Sequence, residues 1–562
     1  MVRRFLDLIQ SEIRGLHEAA YLLAVFALLS QILALVRDRL LASNFGAGEV
    51  LDIYYAAFRI PDFIFVAIAS LVSLSVLIPF LTQKVHTSQQ EGGKFISSIF
   101  SLFSLVMIIV SAIAFFLAPH ILKIALPGFQ GESFPELVLV TRILLLQPIF
   151  LGFSSLLASI IHIEQRFIIY AISPLLYNVG IILGIFFLYP LFGIAGLAYG
   201  VVLGAILHML LQVPFIIRSG FFPTFTFFID WKDIKNVIFL SLPRTLALSS
   251  NQLALLFLVA FASLMSTGSV AVFNFSFNLQ SVPLTIIGAS YSVAAFPTLA
   301  RLFTNGERDT FFNHITVAAR HIIFWSLPAL VIFIVLRAQI VRVILGSGEF
   351  TWTDTRLTAA ALALFAVSIL AQSLVLLFVR GYYAAGKTLK PLFINVGSSI
   401  LVIVFAFIFM RLYNDVPLFT YFIESLLRVE DIPGTEVLML PLGYSLALLI
   451  NALLFWILFQ KDFSKFSRTL SRTFIQSLSA AVVMGFAIHQ FLNIFDNIFD
   501  LNTFWGIFAQ GSLSGVLGIA IGVATLHILG NSEIKEVWKK LRVFVYFYAF
   551  VCFFEYFYNS II

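Results

Sequence analysis

Residues 31–63 read QILALVRDRLLASNFGAGEVLDIYYAAFRIPDF and set Arg37, Asp38, Arg39, Asp52, Arg59 and Asp62 around a Phe45-Gly46-Ala47-Gly48 turn. Apolar runs almost free of charge lie on both sides of this cluster. A guanidinium offers a planar fork of N–H donors that fits phosphate or carboxylate oxygens. A carboxylate beside it orients the fork and limits the cost of taking the charge out of water. The chemistry open to this cluster is therefore the holding of an anion, at a seam shaped by the Gly46/Gly48 turn. Two further groups lie inside apolar runs: Arg244, in SLPRTLALSSNQ, and Asn278, which follows Asn274 and precedes Gln280. Arg39, Arg142 and Arg342 read instead as side chains that snorkel to an interface.

No metalloprotease pattern, nucleophile elbow or acid/base pair accompanies these residues, and His162, His208, His321 and His489 stand isolated. The single Cys, Cys552, rules out an intrachain disulfide and a cysteine metal site. No cofactor is expected. Gly381-Tyr-Tyr-Ala-Ala-Gly386-Lys387-Thr388 matches the letters of a phosphate loop. That loop needs a strand before it and a helix after it in a soluble domain. Here an apolar helix precedes it and Pro391 opens the next one, so no nucleotide is expected.

The elements that must position these residues are membrane helices. The 562 residues are 60% hydrophobic and 11% charged, with mean hydropathy +1.02. Soluble domains carry about twice that charge. Apolar runs long enough to span a bilayer recur along the whole chain, and about fourteen are expected. They centre on 20–37, 62–83, 95–118, 138–161, 168–190, 193–217, 236–264, 269–300, 317–337, 356–380, 390–412, 438–459, 470–493 and 504–529. Only 218–235 and 413–437 leave room between spans for more than a turn. Lys and Arg concentrate in the segments that are cytoplasmic if both termini are inside, which is the positive-inside pattern. The net charge of +6 is scattered over loops and does not point to nucleic acid.

This gives an all-α polytopic membrane protein. Its expected parts are an N-terminal amphipathic segment (1–18), an N-lobe (19–217), a cytoplasmic linker (218–235), a C-lobe (236–459), two further spans (460–530) and a basic, aromatic tail (531–562). The tail, LRVFVYFYAFVCFFEYFYNSII over 541–562, reads as an interfacial helix or an extra span interrupted by Glu555. A faint repeat supports two lobes of like orientation around a central cavity. FGAGEVLDIYYAAF with SVLIPFLTQ (45–83) is similar to MSTGSVAVFNFSF with SVAAFPTLAR (265–301), each ending near a proline, Pro79 or Pro297.

The middles of the spans lack Asp and Glu, whereas ion-coupled cation exporters generally need an intramembrane carboxylate. The buried charges are read as cationic, suiting an anionic substrate. At this point the chain resembles the MurJ (MviN) lipid II flippase family of the MOP exporter superfamily. VRDRLLASNFGAGEVLDIYYAAFRIPDF resembles the family's first loop, with its Arg-Asp pair, Phe-Gly-Ala-Gly turn, following Asp and basic-x-Pro. RFIIYAISPLLYNVGII, Gln212-x-Pro214, LGSGEFTWTD and GYYAAGKTLKP fit later pieces.

The resemblance implies a fourteen-span flippase of the bacterial inner membrane with cytoplasmic termini. It would carry undecaprenyl-pyrophosphate-linked disaccharide-pentapeptide to the outer leaflet by alternating access, driven by membrane potential. Spans 13 and 14 would offer a groove for the lipid tail, and cell-wall synthesis proteins would be partners. Arg37, Asp38, Asp52 and Arg59 inherit the site assignment, with Arg244 and Asn278 as additions.

The chain also departs from the family. Gln31 and Phe65 stand where the family has Arg, Ser70-Leu71-Val72-Ser73 replaces Glu-Gly-Ala-Phe, and Phe277, Asn278 and Ser281 replace an Asp-Arg pair and a Glu. Each missing Arg–phosphate contact would weaken binding by about 1.5–3 kcal/mol. Two other functions are compatible with such losses: export of another polyprenyl-linked glycan or a small solute, and a non-transporting scaffold. A cavity packed shut by Phe65, Phe273, Phe275 and Phe277 would mark the scaffold.

Overall fold

A computed structural model describes residues 16–539, apart from 73–76, 78–79, 83, 85–87, 165, 228, 230 and 464–467. Residues 1–15 of the amphipathic segment expected at 1–18, Pro79 of the repeat, Ser73 and the 541–562 tail lie outside the described residues. Every regular element among the described residues is helical.

The apolar runs set the helices. Among the described residues, eleven helices are long and apolar enough to cross a membrane, and twelve if the pair Trp352–Ala366 and Ile369–Ala384, bent by 43°, counts as one span. These match the expected spans from 95–118 onward. The first expected span lies in the 30-residue helix Leu16–Phe45. The second begins as Arg59–Ala69 and runs into residues outside the description. The count of fourteen thus rests on those two. The 413–437 connection contains a short apolar helix, Pro417–Leu427. Large apolar side chains such as Phe116, Phe187 and Ile519 point outward, as lipid-facing surfaces require.

Helix ends follow local chemistry. Ser88 Oγ accepts from Glu91 N at 3.1 Å, and Thr503 Oγ1 accepts from Gly506 N at 3.0 Å. Each satisfies an N–H left unpaired at a helix start.

The residues form two compact units. The first contains residues up to Leu279, Ile344–Ala361 and Thr388–Ala447; the second contains Gln280–Val343, Leu362–Lys387 and the residues from Leu448 onward. In the first unit the Phe167–Leu183 helix packs on Ile194–Leu210 and on Leu16–Phe45. Glycines at every fourth position let two backbones touch: a Cβ on Gly180 would meet Gly204 Cα at 2.2 Å, and one on Gly200 would meet Gly184 Cα at 2.5 Å. With no hydrophobic drive between helices in lipid, such close backbone packing is a main source of association. Gln212 adds polar ties, donating to Ser154 Oγ at 2.6 Å and Ser173 Oγ at 3.3 Å.

In the second unit Arg468–Asp496 packs on Phe504–Ile528 and on Arg308–Val335. Phe324, Ala480, Leu526 and Ile534 form one of its cores. The phosphate-loop letters are split between a helix end, up to Ala384, and a partly exposed turn over 385–388. Gly381 is inside a helix against Ile315 and Phe459, and Lys387 lies over the Phe463 ring at 4.9 Å.

Candidate anion site

Five helices converge on a cavity lined by residues of the first unit, with the short helix Glu49–Ala57 completing its wall. Arg37 and Leu41 come from Leu16–Phe45, Tyr177 and Ile181 from Phe167–Leu183, and Asn274 and Asn278 from Ser269–Pro283. Each pair is spaced four apart, which puts both members on one helix face. Tyr54 and Tyr55 come from Glu49–Ala57, Arg59 and Asp62 from Arg59–Ala69, and Gln147 from the start of Gln147–Ile163. The cavity measures about 220 Å³, where one water needs about 10–15 Å³.

Arg37 is held by three bonds. Its Nε and Nη2 donate to Asp38 Oδ1 at 2.9 and 2.7 Å, and Nη1 donates to Asn178 Oδ1 at 2.9 Å. Asn178 is itself tied to Pro174 O at 3.2 Å. Asn278 Nδ2 donates to the other oxygen of Asp38 at 3.1 Å. Arg59 Nη2 donates to Asn274 Oδ1, and Asn274 is anchored on Val270 O at 2.7 Å. Arg59 Nε is buried without a hydrogen-bond partner among the described residues. A guanidinium has five N–H donors, so both arginines retain donors for a ligand.

The sequence-predicted residues divide into groups. Arg37, Arg59 and Asn278 line the cavity, and Asp38 stands behind them as the orienting carboxylate. Asp52 does something else: its Oδ2 accepts from Gly268 N at 2.6 Å and its Oδ1 from Ala271 N at 2.8 Å. It caps the start of the helix that carries Asn274 and Asn278, where negative charge is favoured. Gly268 has φ +92, and a Cβ there would lie 2.1 Å from Ala47 O. The first copy of the faint repeat therefore grips the turn of the second.

Arg244, in the helix Trp231–Ser263, is not among the lining residues; its neighbour Thr245 accepts from Ser70 Oγ at 3.0 Å. Of the three candidate site arginines, Arg37 and Arg59 line the cavity and Arg244 does not. The expectation of predominantly cationic buried charge is corrected: Asp62 lines the cavity and Asp38 pairs with Arg37, so the four charges balance. Tyr54, Tyr55, Tyr177 and Gln147 were not anticipated.

The phenylalanines do not close the space. Phe275 packs edge-on against Tyr55 and Phe350, Phe277 stacks on Phe273, and none of the three lines the cavity.

The profile of the family described as "Lipid II flippase MurJ" matches residues 41–509. A probable lipid II flippase MurJ of Haemophilus influenzae is 25% identical over 539 residues, covering 89% of this chain and 99% of the relative. One from Buchnera aphidicola subsp. Acyrthosiphon pisum is 29% identical over 377 residues, covering 66% and 73%. A lipid II flippase MurJ solved in an inward closed conformation superposes with TM-score 0.72 at 22% identity, covering 92% of this chain and 99% of that one. An inward-facing multidrug resistance MATE transporter of the MOP superfamily gives 0.63 at 16% identity, covering 79% and 96%. The fold is therefore that of MOP-type transporters, and the family profile spans the cavity helices from residue 41 onward: this chain belongs to the lipid II flippase MurJ family.

Proposed function

We propose that this chain flips lipid II from the inner to the outer leaflet of a bacterial cytoplasmic membrane, with Arg37 and Arg59 holding the diphosphate. The observation that carries the site is the pair of half-buried guanidiniums with unused donors lining one cavity. A diphosphate offers several anionic oxygens to such forks, and charge-assisted bonds are about twice as strong as neutral ones. The balanced charge of Arg37, Asp38, Arg59 and Asp62 limits the cost of keeping them in the membrane. Asp38, Asn178, Asn274 and Asn278 orient the two arginines. Asp52 acts on the site through the helix it caps.

The rest of the reading follows the family. The N-lobe (19–217) and C-lobe (236–459) would expose the site alternately to the two leaflets, under the membrane potential. Spans 13 and 14 (460–530) would take the lipid tail. Both termini would be cytoplasmic, and cell-wall synthesis proteins are the expected partners. An open polar cavity favours transport over a purely structural role.

The test is complementation of a bacterium depleted of its own lipid II flippase. Wild type should restore growth; Arg37→Ala and Arg59→Ala, present in the membrane at equal amount, should not. Failure of wild type to rescue would overturn the lipid II assignment, leaving another polyprenyl-linked glycan or a solute as the cargo.

A further inference from the structure

The same cavity also carries hydrogen-bond acceptors, one helical turn along from Arg59. The Asp62 carboxylate lines the wall beside Gln147, whose side chain bonds it. Gln147 is 4% exposed, and its Oε1 is buried with no hydrogen-bond partner among the described residues. A carboxylate has about four lone-pair sites, and an amide oxygen has two. This part of the cavity therefore asks for O–H or N–H donors. Tyr55, another lining residue, is 7% exposed and its hydroxyl also lacks a partner among the described residues.

A bare diphosphate satisfies only half of this arrangement. It supplies acceptors to Arg37 and Arg59 but has no donors for Asp62 and Gln147, and its charge is repelled by Asp62. A sugar attached to the diphosphate supplies what is missing, through its hydroxyl and acetamido groups. Tyr54, Tyr177 and Phe58 add flat apolar faces to the same wall.

Resting on the flippase reading above, we infer that Asp62 and Gln147 form a sugar subsite that makes the cavity select glycosylated polyprenyl diphosphates over the bare polyprenyl diphosphate. Arg37 and Arg59 take the diphosphate common to both lipids; Asp62 and Gln147 read the sugar next to it. A buried acceptor left unpaired is costly, so the bare lipid is rejected by what it fails to satisfy, as in other sites built to bond a hydroxyl.

The experiment is a comparison of affinities of the purified full-length protein for lipid II and for undecaprenyl diphosphate, in one detergent. Wild type should bind lipid II at least tenfold more tightly. Asp62→Ala and, independently, Gln147→Ala should lose most of that preference, with lipid II binding falling tenfold or more and undecaprenyl diphosphate binding changing less than threefold. Thermal unfolding of each variant checks that it is folded, and Asp62→Asn is the replacement if Asp62→Ala is not. Equal loss for both lipids, or no loss for either, would overturn the sugar subsite while leaving the flippase reading intact. Failure of wild type to bind lipid II at all would overturn both.

Discussion

Arg37 Nη1 donates to Asn178 Oδ1 at 2.9 Å, joining residues 141 positions apart on the Leu16–Phe45 and Phe167–Leu183 helices. Asn178 touches the arginine and does not line the cavity, so it acts as a positioning residue. Asn178→Ala should weaken lipid II binding about fivefold, matching the net value of about 1 kcal/mol for one hydrogen bond. Asn178→Asp should restore the contact. Titration of purified variants with lipid II checks both.

Asp52 should matter for stability and not for selectivity. Its two bonds to Gly268 N and Ala271 N are lost in Asp52→Ala, which leaves buried N–H groups unpaired at a cost of about 1–3 kcal/mol. Thermal unfolding in detergent should show a clear drop. Asp52→Asn, which keeps one acceptor oxygen, should drop less, and the lipid II to undecaprenyl diphosphate affinity ratio should stay at the wild-type value in both.

The glycine contact between two span helices gives a third outcome. Gly200→Leu puts a side chain where Gly184 Cα already lies 2.5 Å from the Cβ position. Backbone must move, and overpacking of this kind costs about 1–3 kcal/mol or more. Gly397→Ala is the control, because nothing lies within 4 Å of its Cβ position; in a helix interior it should be neutral or slightly stabilising. Unfolding temperatures that moved equally would contradict the packing account.

Glu533 follows the last described span and supplies a pH-dependent outcome. Burial raises its carboxyl pKa, but hydrogen bonds from Arg320 and Ser532 and the Arg320 charge outweigh this and hold it below the ordinary value. Arg320 Nε donates to it at 2.6 Å, and Thr473 Oγ1 donates at 3.1 Å. A lowered folded-state pKa gives stability that is present above the unfolded value and lost as pH falls through the folded value. Glu533→Gln should therefore be less stable than wild type at pH 7, and the two should converge in acid. A gap that stayed constant down to pH 3 would contradict the ion pair's role.

Much of the fold was legible because a membrane span announces itself: a long apolar run must pair its own backbone groups in lipid, and only a helix does so. Arg37 and Arg59 were legible for the converse reason, since a charge in such a run is expensive and needs a purpose. Tyr54, Tyr55, Tyr177 and Gln147 were not, because in an apolar helix they look like any packed or interfacial side chain until the other helices are in place. The family resemblance puts Asp52 in the site beside the arginines. Its real partners are backbone N–H groups 216 and 219 positions away, which no local pattern reveals. Arg244 lies in an apolar run like the others, yet the helix face it occupies does not line the cavity.

The most direct test of the central claim is the affinity of the purified protein for lipid II with Arg59→Gln, a change that preserves bulk and removes the fork. The account predicts binding weakened tenfold or more, in line with about 1.5–3 kcal/mol for hydrogen bonds to a charged group. Unchanged affinity in a folded variant would contradict it, because the diphosphate would then be held by something other than this cavity.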